Sequence, residues 1–180
     1  MSLYANSFAD TATGTDPYVR ALLELLGDRD PMALLPETPA KVAEAVRGLD
    51  AATLRKPEAE GKWSVLHVVQ HLADSEIVNS VRYRMMIAHD TPPIQGYDQD
   101  LFAQRMHYEN ADVEEALETF RVLRRANVRL LTSLTPEERK RGGVHSERGF
   151  EDVEKLMHLL AAHDLVHLNQ IARIAGAVAG

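Results

Sequence analysis

The chain has 180 residues, of which 45% are hydrophobic and 26% charged, a composition typical of one globular domain. Its formal net charge of −7 argues against a nucleic-acid partner, because nucleic-acid binding needs a basic face. The absence of cysteine excludes disulfides, thiolate metal sites and a cysteine nucleophile, so any metal ligand must be His, Asp or Glu.

The N-terminal segment, residues 1–15, is small and polar and predicts a flexible tail, while residues 16–180 form a single predicted domain. The segment has no basic-plus-apolar signal pattern. No apolar run approaches the roughly 20 residues that span a bilayer. We therefore expect a cytoplasmic protein without membrane contacts.

Two short amphipathic helices are predicted near the front of the domain. In residues 16–27 and 38–48, a capping residue followed by proline opens the helix and glycine ends it. A polar loop follows. Ser64 then predicts the N-cap of a long helix that runs to about His89, with Trp63 and Val68 placed as a hydrophobic staple.

Two more long helices are predicted in the second half of the chain. After a proline-containing break and a short helix near residues 100–107, Asp112 opens a helix that runs to about Leu134. A charged, glycine-containing connection leads to the last helix, residues 151–177. The pattern predicts an all-α protein, an antiparallel four-helix bundle, with no sheet of more than two short strands.

Two histidines of the last helix, His163 and His167, lie four residues apart and therefore on one helical face. That face is otherwise apolar, whereas His158 points elsewhere. Buried imidazoles need partners for their nitrogen atoms. The pair therefore predicts either hydrogen-bonded core residues or two ligands of one ion, and spacing leaves both open.

The second long helix carries another pair, His67 and His71, about 40° apart around the helix axis. Spacing does not decide which of the two points inward. The remaining histidines lie in or beside predicted loops, where we expect solvated side chains; these are His89, His107 and His145.

Besides His67, four further polar residues are candidates for support of a site or for lining a pocket. Asp74 and Gln170 are placed to accept a hydrogen bond from a metal-bound imidazole, unless they face solvent. Asn127 falls within the apolar stripe of its helix and predicts a pocket-lining amide or a bond between helices. Arg124, at the edge of that stripe, is either a surface arginine or a group that binds an anionic substrate.

Several segments resemble the DinB-like (YfiT-like) superfamily. "KWSVLHVVQHLADSE", Lys62–Glu76, is similar to the entry of its second bundle helix, and "AAHDLVHLNQI", residues 161–171, to its closing helix. The likeness covers about residues 16–178 and includes "TPAKVAEAVRGLD", the "GYDQD" loop and "FRVLRRANVRLLTSLTPEE".

The resemblance implies a four-helix bundle, often a homodimer, with a divalent ion bound by three histidines. By position the ligands fall on His71, His163 and His167, so that His67 has no counterpart among them. Nickel or zinc is the typical metal.

Some members of the family are S-transferases for low-molecular-weight thiols, others are described as metal-dependent hydrolases, and most have no known activity. The resemblance therefore favours a metal-dependent thiol S-transferase acting on a small molecule. The alternatives are a metal-dependent hydrolase and a non-catalytic metal-binding stress-response bundle. A purely structural bundle, with histidines hydrogen-bonded in its core, is a further alternative.

Overall fold

The computed structural model describes residues 17–178, so the tail predicted for residues 1–15 lies outside the described part. This part is mainly helical, as predicted. Its helices are α1 (Pro17–Leu26), α2 (Pro31–Leu34), α3 (Thr38–Val46), α4 (Ala51–Arg55), α5 (Val65–Ala88), α6 (Gln99–Arg105), α7 (Val113–Thr132), α8 (Pro136–Arg139) and α9 (Val153–Val178), with a short 3-10 helix at Tyr108–Asn110.

The long helices α5, α7 and α9 form the centre of the bundle. Helix α5 packs against both α7 and α9. The N-terminal helices α1 and α3 also contact α9, and α3 contacts α7. Trp63 lies in the core at one end, and Tyr83 is fully buried in the core at the other. Among residues 17–178, no helix has the length and apolarity to cross a membrane.

The predicted helix starts agree with the structure where a side chain caps the helix. The Ser64 hydroxyl accepts the backbone N–H of His67 at the start of α5, and the Asp112 carboxylate accepts two backbone N–H groups at the start of α7. The loop predicted before Trp63 is partly wrong, because Asp50 caps the short helix α4 there.

A three-stranded sheet contradicts the prediction of no more than two short strands. Its strands are β1 (Pro93–Ile94), β2 (Gly142–His145) and β3 (Gly149–Asp152). β2 is central, parallel to β1 and antiparallel to β3.

Glycine makes this sheet geometrically feasible. A Cβ atom on Gly143 would lie 2.5 Å from the carbonyl oxygen of Pro92, and one on Gly142 would lie 2.3 Å from that of Glu151. Gly149, the first residue of β3 after the three-residue hairpin loop, has a φ of +73°, a left-handed conformation that suits glycine. The sheet places His145 against the end of the bundle.

Candidate metal centre

Helices α5 and α9 bring three histidine rings together. Nε2 of His163 lies 3.1 Å from Nε2 of His71 and 3.0 Å from Nε2 of His167. His163 and His167 are one turn apart on α9, while His71 reaches them from α5. Among the described residues, these three form the group of His, Asp and Glu side chains that fits a metal ion, with all ligand atoms within 4.8 Å of one another.

Burial keeps the three imidazoles in the neutral form that binds metals. His71 and His167 are buried, and His163 is partly exposed. Burial, followed by the charge of neighbouring histidines, lowers the pKa of His71 and His163 well below the ordinary value. Burial lowers the pKa of His167 to about 4, although its bond to Gln170 and the charge of Asp164 oppose the shift.

Gln170 fixes the ring of His167. Its Oε1 lies 2.7 Å from Nδ1 of His167, and an amide oxygen accepts, so Nδ1 carries the proton and donates it. In the neutral ring, Nε2 of His167 then has no proton and directs its lone pair towards the other two histidines. Gln170 thus makes the contact to a histidine that was predicted for it, and its role in supporting a metal ligand stays a prediction.

The geometry fits a divalent ion better than a hydrogen-bonded trio. Nε2 of His163 has an Nε2 neighbour on each side, yet a single proton there can serve only one of them. Bonds of about 2.0–2.1 Å in a tetrahedral zinc site place nitrogen ligands about 3.3 Å apart, close to the two distances measured from Nε2 of His163. Nδ1 of His71 and of His163 are buried without a protein partner among the described residues.

His67 lies outside this cluster. Its Nδ1 is 2.8 Å from the hydroxyl of Ser64, at the start of the same helix, and its ring is partly exposed. The structure therefore groups the three histidines that the family resemblance implied. Their role as ligands stays a prediction.

Two other predicted candidates have partners of their own. Asp74 is buried and accepts hydrogen bonds from the Tyr108 hydroxyl at 2.5 Å and from the Gln70 amide at 3.1 Å, so no bond joins it to a clustered histidine. His158 lies apart from the cluster, as predicted, with Nδ1 2.8 Å from the backbone carbonyl of Glu154.

Arg124 corrects both interpretations offered for it, because it is neither a surface residue nor free to bind a substrate. Its side chain is 2% exposed and forms ion pairs with Glu76 on α5 and Asp164 on α9. It also donates to the carbonyl of Leu35 at 3.0 Å. Burial lowers the pKa of Arg124, but the charges of Asp164 and Glu76 outweigh burial and raise it above the ordinary value.

Asn127 joins the same network and makes a bond between helices, one of its two predicted roles. Its amide nitrogen donates to Glu76 at 2.8 Å and to the Ser80 hydroxyl at 2.7 Å. Its oxygen accepts from Arg84 at 3.0 Å. These contacts join α7 to α5, the helix that carries His71.

A cavity of about 120 Å³ lies between the histidine cluster and the sheet. Its lining includes His71 and His163 of the cluster together with Arg82, Tyr97 and His145. The prediction of a solvated His145 is wrong, because this residue is 2% exposed. His89 and His107 are exposed, as predicted.

Sequence reasoning missed Arg82 and His145 as residues of the cavity. The signal available for Arg82 was its place on the histidine-bearing helix, about three turns from His71. His145 had no comparable signal, because the burial of its ring depends on strand pairing that the neighbouring residues do not indicate.

Comparisons with known proteins agree with this fold. The chain is 29% identical to YfiT of Bacillus subtilis (strain 168) over 79% of this chain and 83% of that protein. It is 28% identical to a protein of Oceanobacillus iheyensis, over 77% and 80% of the two chains.

The solved structure of YfiT from Bacillus subtilis superposes with a TM-score of 0.75 at 25% identity, covering 92% of this chain and 90% of that one. It is described as a probable metal-dependent hydrolase with an unusual four-helix bundle topology. The two sequence relatives are also named as metal-dependent hydrolases. The sequence model of the DinB superfamily matches residues 34–171, most of the chain. The chain therefore belongs to the DinB superfamily.

Proposed function

We propose that this chain is a metal-dependent enzyme in which His71, His163 and His167 bind one divalent ion, nickel or zinc. The observation that carries the proposal is the convergence of three Nε2 atoms beside a cavity. When bound to neutral ligands, such an ion is a Lewis acid that lowers the pKa of a coordinated water or thiol towards neutrality.

The surrounding side chains hold the ligands in place. Gln170 keeps the Nε2 lone pair of His167 directed at the cluster. The buried ion pairs of Arg124 connect α5 to α9, the two helices that supply the ligands. One cation facing two carboxylates leaves a formal charge of −1 in the core, which favours a nearby divalent cation.

Thiol S-transfer is the reaction that we favour. The chain has no cysteine, so a thiolate nucleophile has to come from a small molecule that enters the cavity. The thiol releases its proton to solvent and its sulfur forms a bond to an electrophilic carbon. The bond between that carbon and the leaving group breaks, and the leaving group departs with the electron pair of that bond. The resemblance to thiol transferases of the family supports this choice.

Hydrolysis is the second candidate, because the relatives from Bacillus subtilis and Oceanobacillus iheyensis are named as metal-dependent hydrolases. The same three ligands would serve a reaction in which water replaces the thiol. A non-catalytic metal-binding bundle would hold the ion without turnover of either substrate class.

A parallel turnover assay separates these functions. Purified protein loaded with zinc or nickel is incubated with cysteine and monochlorobimane, and separately with a panel of nitrophenyl esters and anilides. We expect metal-dependent formation of the bimane thioether, with His163→Ala as the inactive control. Ester or anilide turnover alone would favour the hydrolase, and metal binding without turnover of either class would favour the non-catalytic bundle.

A further inference from the structure

The cavity beside the histidine cluster has a polar end that the proposed function does not use. It is formed by α5, the loop after β1 and the β2–β3 hairpin, which contribute Arg82, Tyr97, His145 and Arg148. Its volume of about 120 Å³ is well below the roughly 300 Å³ of a typical ligand pocket, so it suits a small molecule.

His145 presents a hydrogen-bond donor without a partner. Its Nδ1 accepts the backbone N–H of Glu147 at 3.2 Å, so in the neutral ring the proton is on Nε2. Burial, followed by the charge of Arg148, lowers the pKa of His145 to about 4, which keeps the ring neutral at pH 7. Nε2 is buried and lacks a protein partner among residues 17–178.

An unpaired buried donor destabilises the folded chain, and a bound acceptor oxygen would remove this penalty. Because the His145 ring lines the cavity, that acceptor is expected to belong to a molecule in the cavity. The tight strand pairing at Gly143 fixes the backbone from which the ring projects.

Arg82 carries a positive charge that acts on Glu147 and Glu151 through space but makes no ion pair with a carboxylate among residues 17–178. Its Nη2 donates to the carbonyl of Gln95 at 2.8 Å, and its guanidinium carbon lies 5.7 Å from the centre of the Tyr97 ring. In the described part of the chain, no Asp or Glu oxygen lies within 4.0 Å of its guanidinium. Arg148, by contrast, makes two bonds to Glu151, at 2.7 and 2.8 Å.

We propose that this cavity binds a small carboxylate-bearing substrate, with the carboxylate on the Arg82 guanidinium and an acceptor oxygen on the Nε2–H of His145. The substrate's reacting end then lies towards His71 and His163, which line the same cavity. The orientation of that end rests on the proposed metal site, whereas anion recognition by Arg82 and His145 does not.

Two thiols of nearly equal size test the charge preference. 6-Mercaptohexanoate and 6-mercaptohexanamide share the thiol that reports binding to nickel-loaded protein through its charge-transfer absorption, and only the first carries a carboxylate. Their chain is long enough to extend from the cluster towards Arg82, about three helical turns from His71 on α5. We expect the dissociation constant to be at least tenfold lower for 6-mercaptohexanoate. Arg82→Gln should remove this difference and leave 6-mercaptohexanamide binding unchanged.

Arg125→Gln is the matched control, because it removes the same charge from an exposed position on α7 that does not line this cavity. It should keep the preference. His145→Phe should weaken binding of both thiols about fivefold at unchanged nickel content, and His145→Gln, which keeps an N–H donor, should restore part of the loss.

A metal-free measurement separates failure of this proposal from failure of the metal site. In metal-free protein, acetate should shift the ring resonances of His145 and the guanidinium resonance of Arg82, while acetamide should not shift Arg82. Equal binding of both thiols, or identical effects of acetate and acetamide, would overturn the carboxylate site. Absence of metal uptake with a retained acetate effect would overturn only the proposed function.

Discussion

Replacing Arg124 with methionine is expected to destabilise the protein severely, because it leaves two buried carboxylates without their cation. The Arg124 side chain is 2% exposed, and its partners Glu76 and Asp164 are 0% and 1% exposed. Its guanidinium lies 2.9 Å from Glu76 and 2.5 Å from Asp164. Methionine approximates the length of the aliphatic stem but supplies neither charge nor donors.

The magnitude follows from burial rather than from the number of ion pairs. Removing one partner of a buried pair typically costs about 3–5 kcal/mol, because the remaining charge stays desolvated. A typical domain has about 5–15 kcal/mol of stability, so this loss is a large fraction of the total. For a chain of this size it lowers the melting temperature by about 10 °C.

Urea unfolding followed by circular dichroism measures the effect, with Arg121→Met as the matched control. Arg121 lies on the same helix and pairs with Glu118, but their side chains are 52% and 59% exposed. Exposed pairs contribute about 0–1 kcal/mol, so this variant should resemble the parent. A double variant that adds Asp164→Asn should recover part of the stability lost in Arg124→Met. Equal losses of unfolding free energy in Arg124→Met and Arg121→Met would refute the reasoning.

Three further outcomes are expected. In metal-free protein, burial lowers the pKa of His167 to about 4, whereas the unfolded chain has the ordinary value of about 6.5. The unfolded chain therefore binds the proton first as the pH falls. The contribution of His167 to the free energy of unfolding should be complete above pH 6.5 and should fall by about 3 kcal/mol towards pH 4. Urea titrations at several pH values measure this, and an equally steep fall in His167→Gln would contradict it. Gly143→Ala should lower the free energy of unfolding by about 1–3 kcal/mol, because the new Cβ would lie 2.5 Å from the Pro92 carbonyl oxygen. An unchanged melting temperature would argue against tight pairing of β1 and β2. Light scattering at micromolar concentration should find the homodimer implied by the family resemblance, and monomer alone would remove that expectation.

Features specified by neighbouring residues could be predicted from the sequence. The Ser64 and Asp112 caps and the apolar stripes located α5 and α7 to within about two residues, because caps and stripes depend on residues a few positions apart. The sheet was missed because the apolar residues of its hairpin, Val144 and Phe150, are exposed, so that no buried alternation marks the strands.

The candidate site also combines features that helical spacing predicts with features that depend on distant residues. The shared face of His163 and His167 followed from helical spacing, whereas His67 and His71 lie too close around the helix axis for spacing to separate them. Arg124 and His145 depend on partners elsewhere in the fold. The carboxylates that bury Arg124 are 48 and 40 residues away along the chain.

Metal content of histidine variants tests the central claim most directly. Protein purified after zinc or nickel loading should hold about one ion per chain, and the ion should raise the melting temperature. His71→Ala, which removes a predicted ligand, should lose the ion, while His67→Ala, one helical turn earlier, should retain it. Retention by His71→Ala with loss by His67→Ala, or a parent protein that neither binds zinc or nickel nor gains stability from them, would contradict the account.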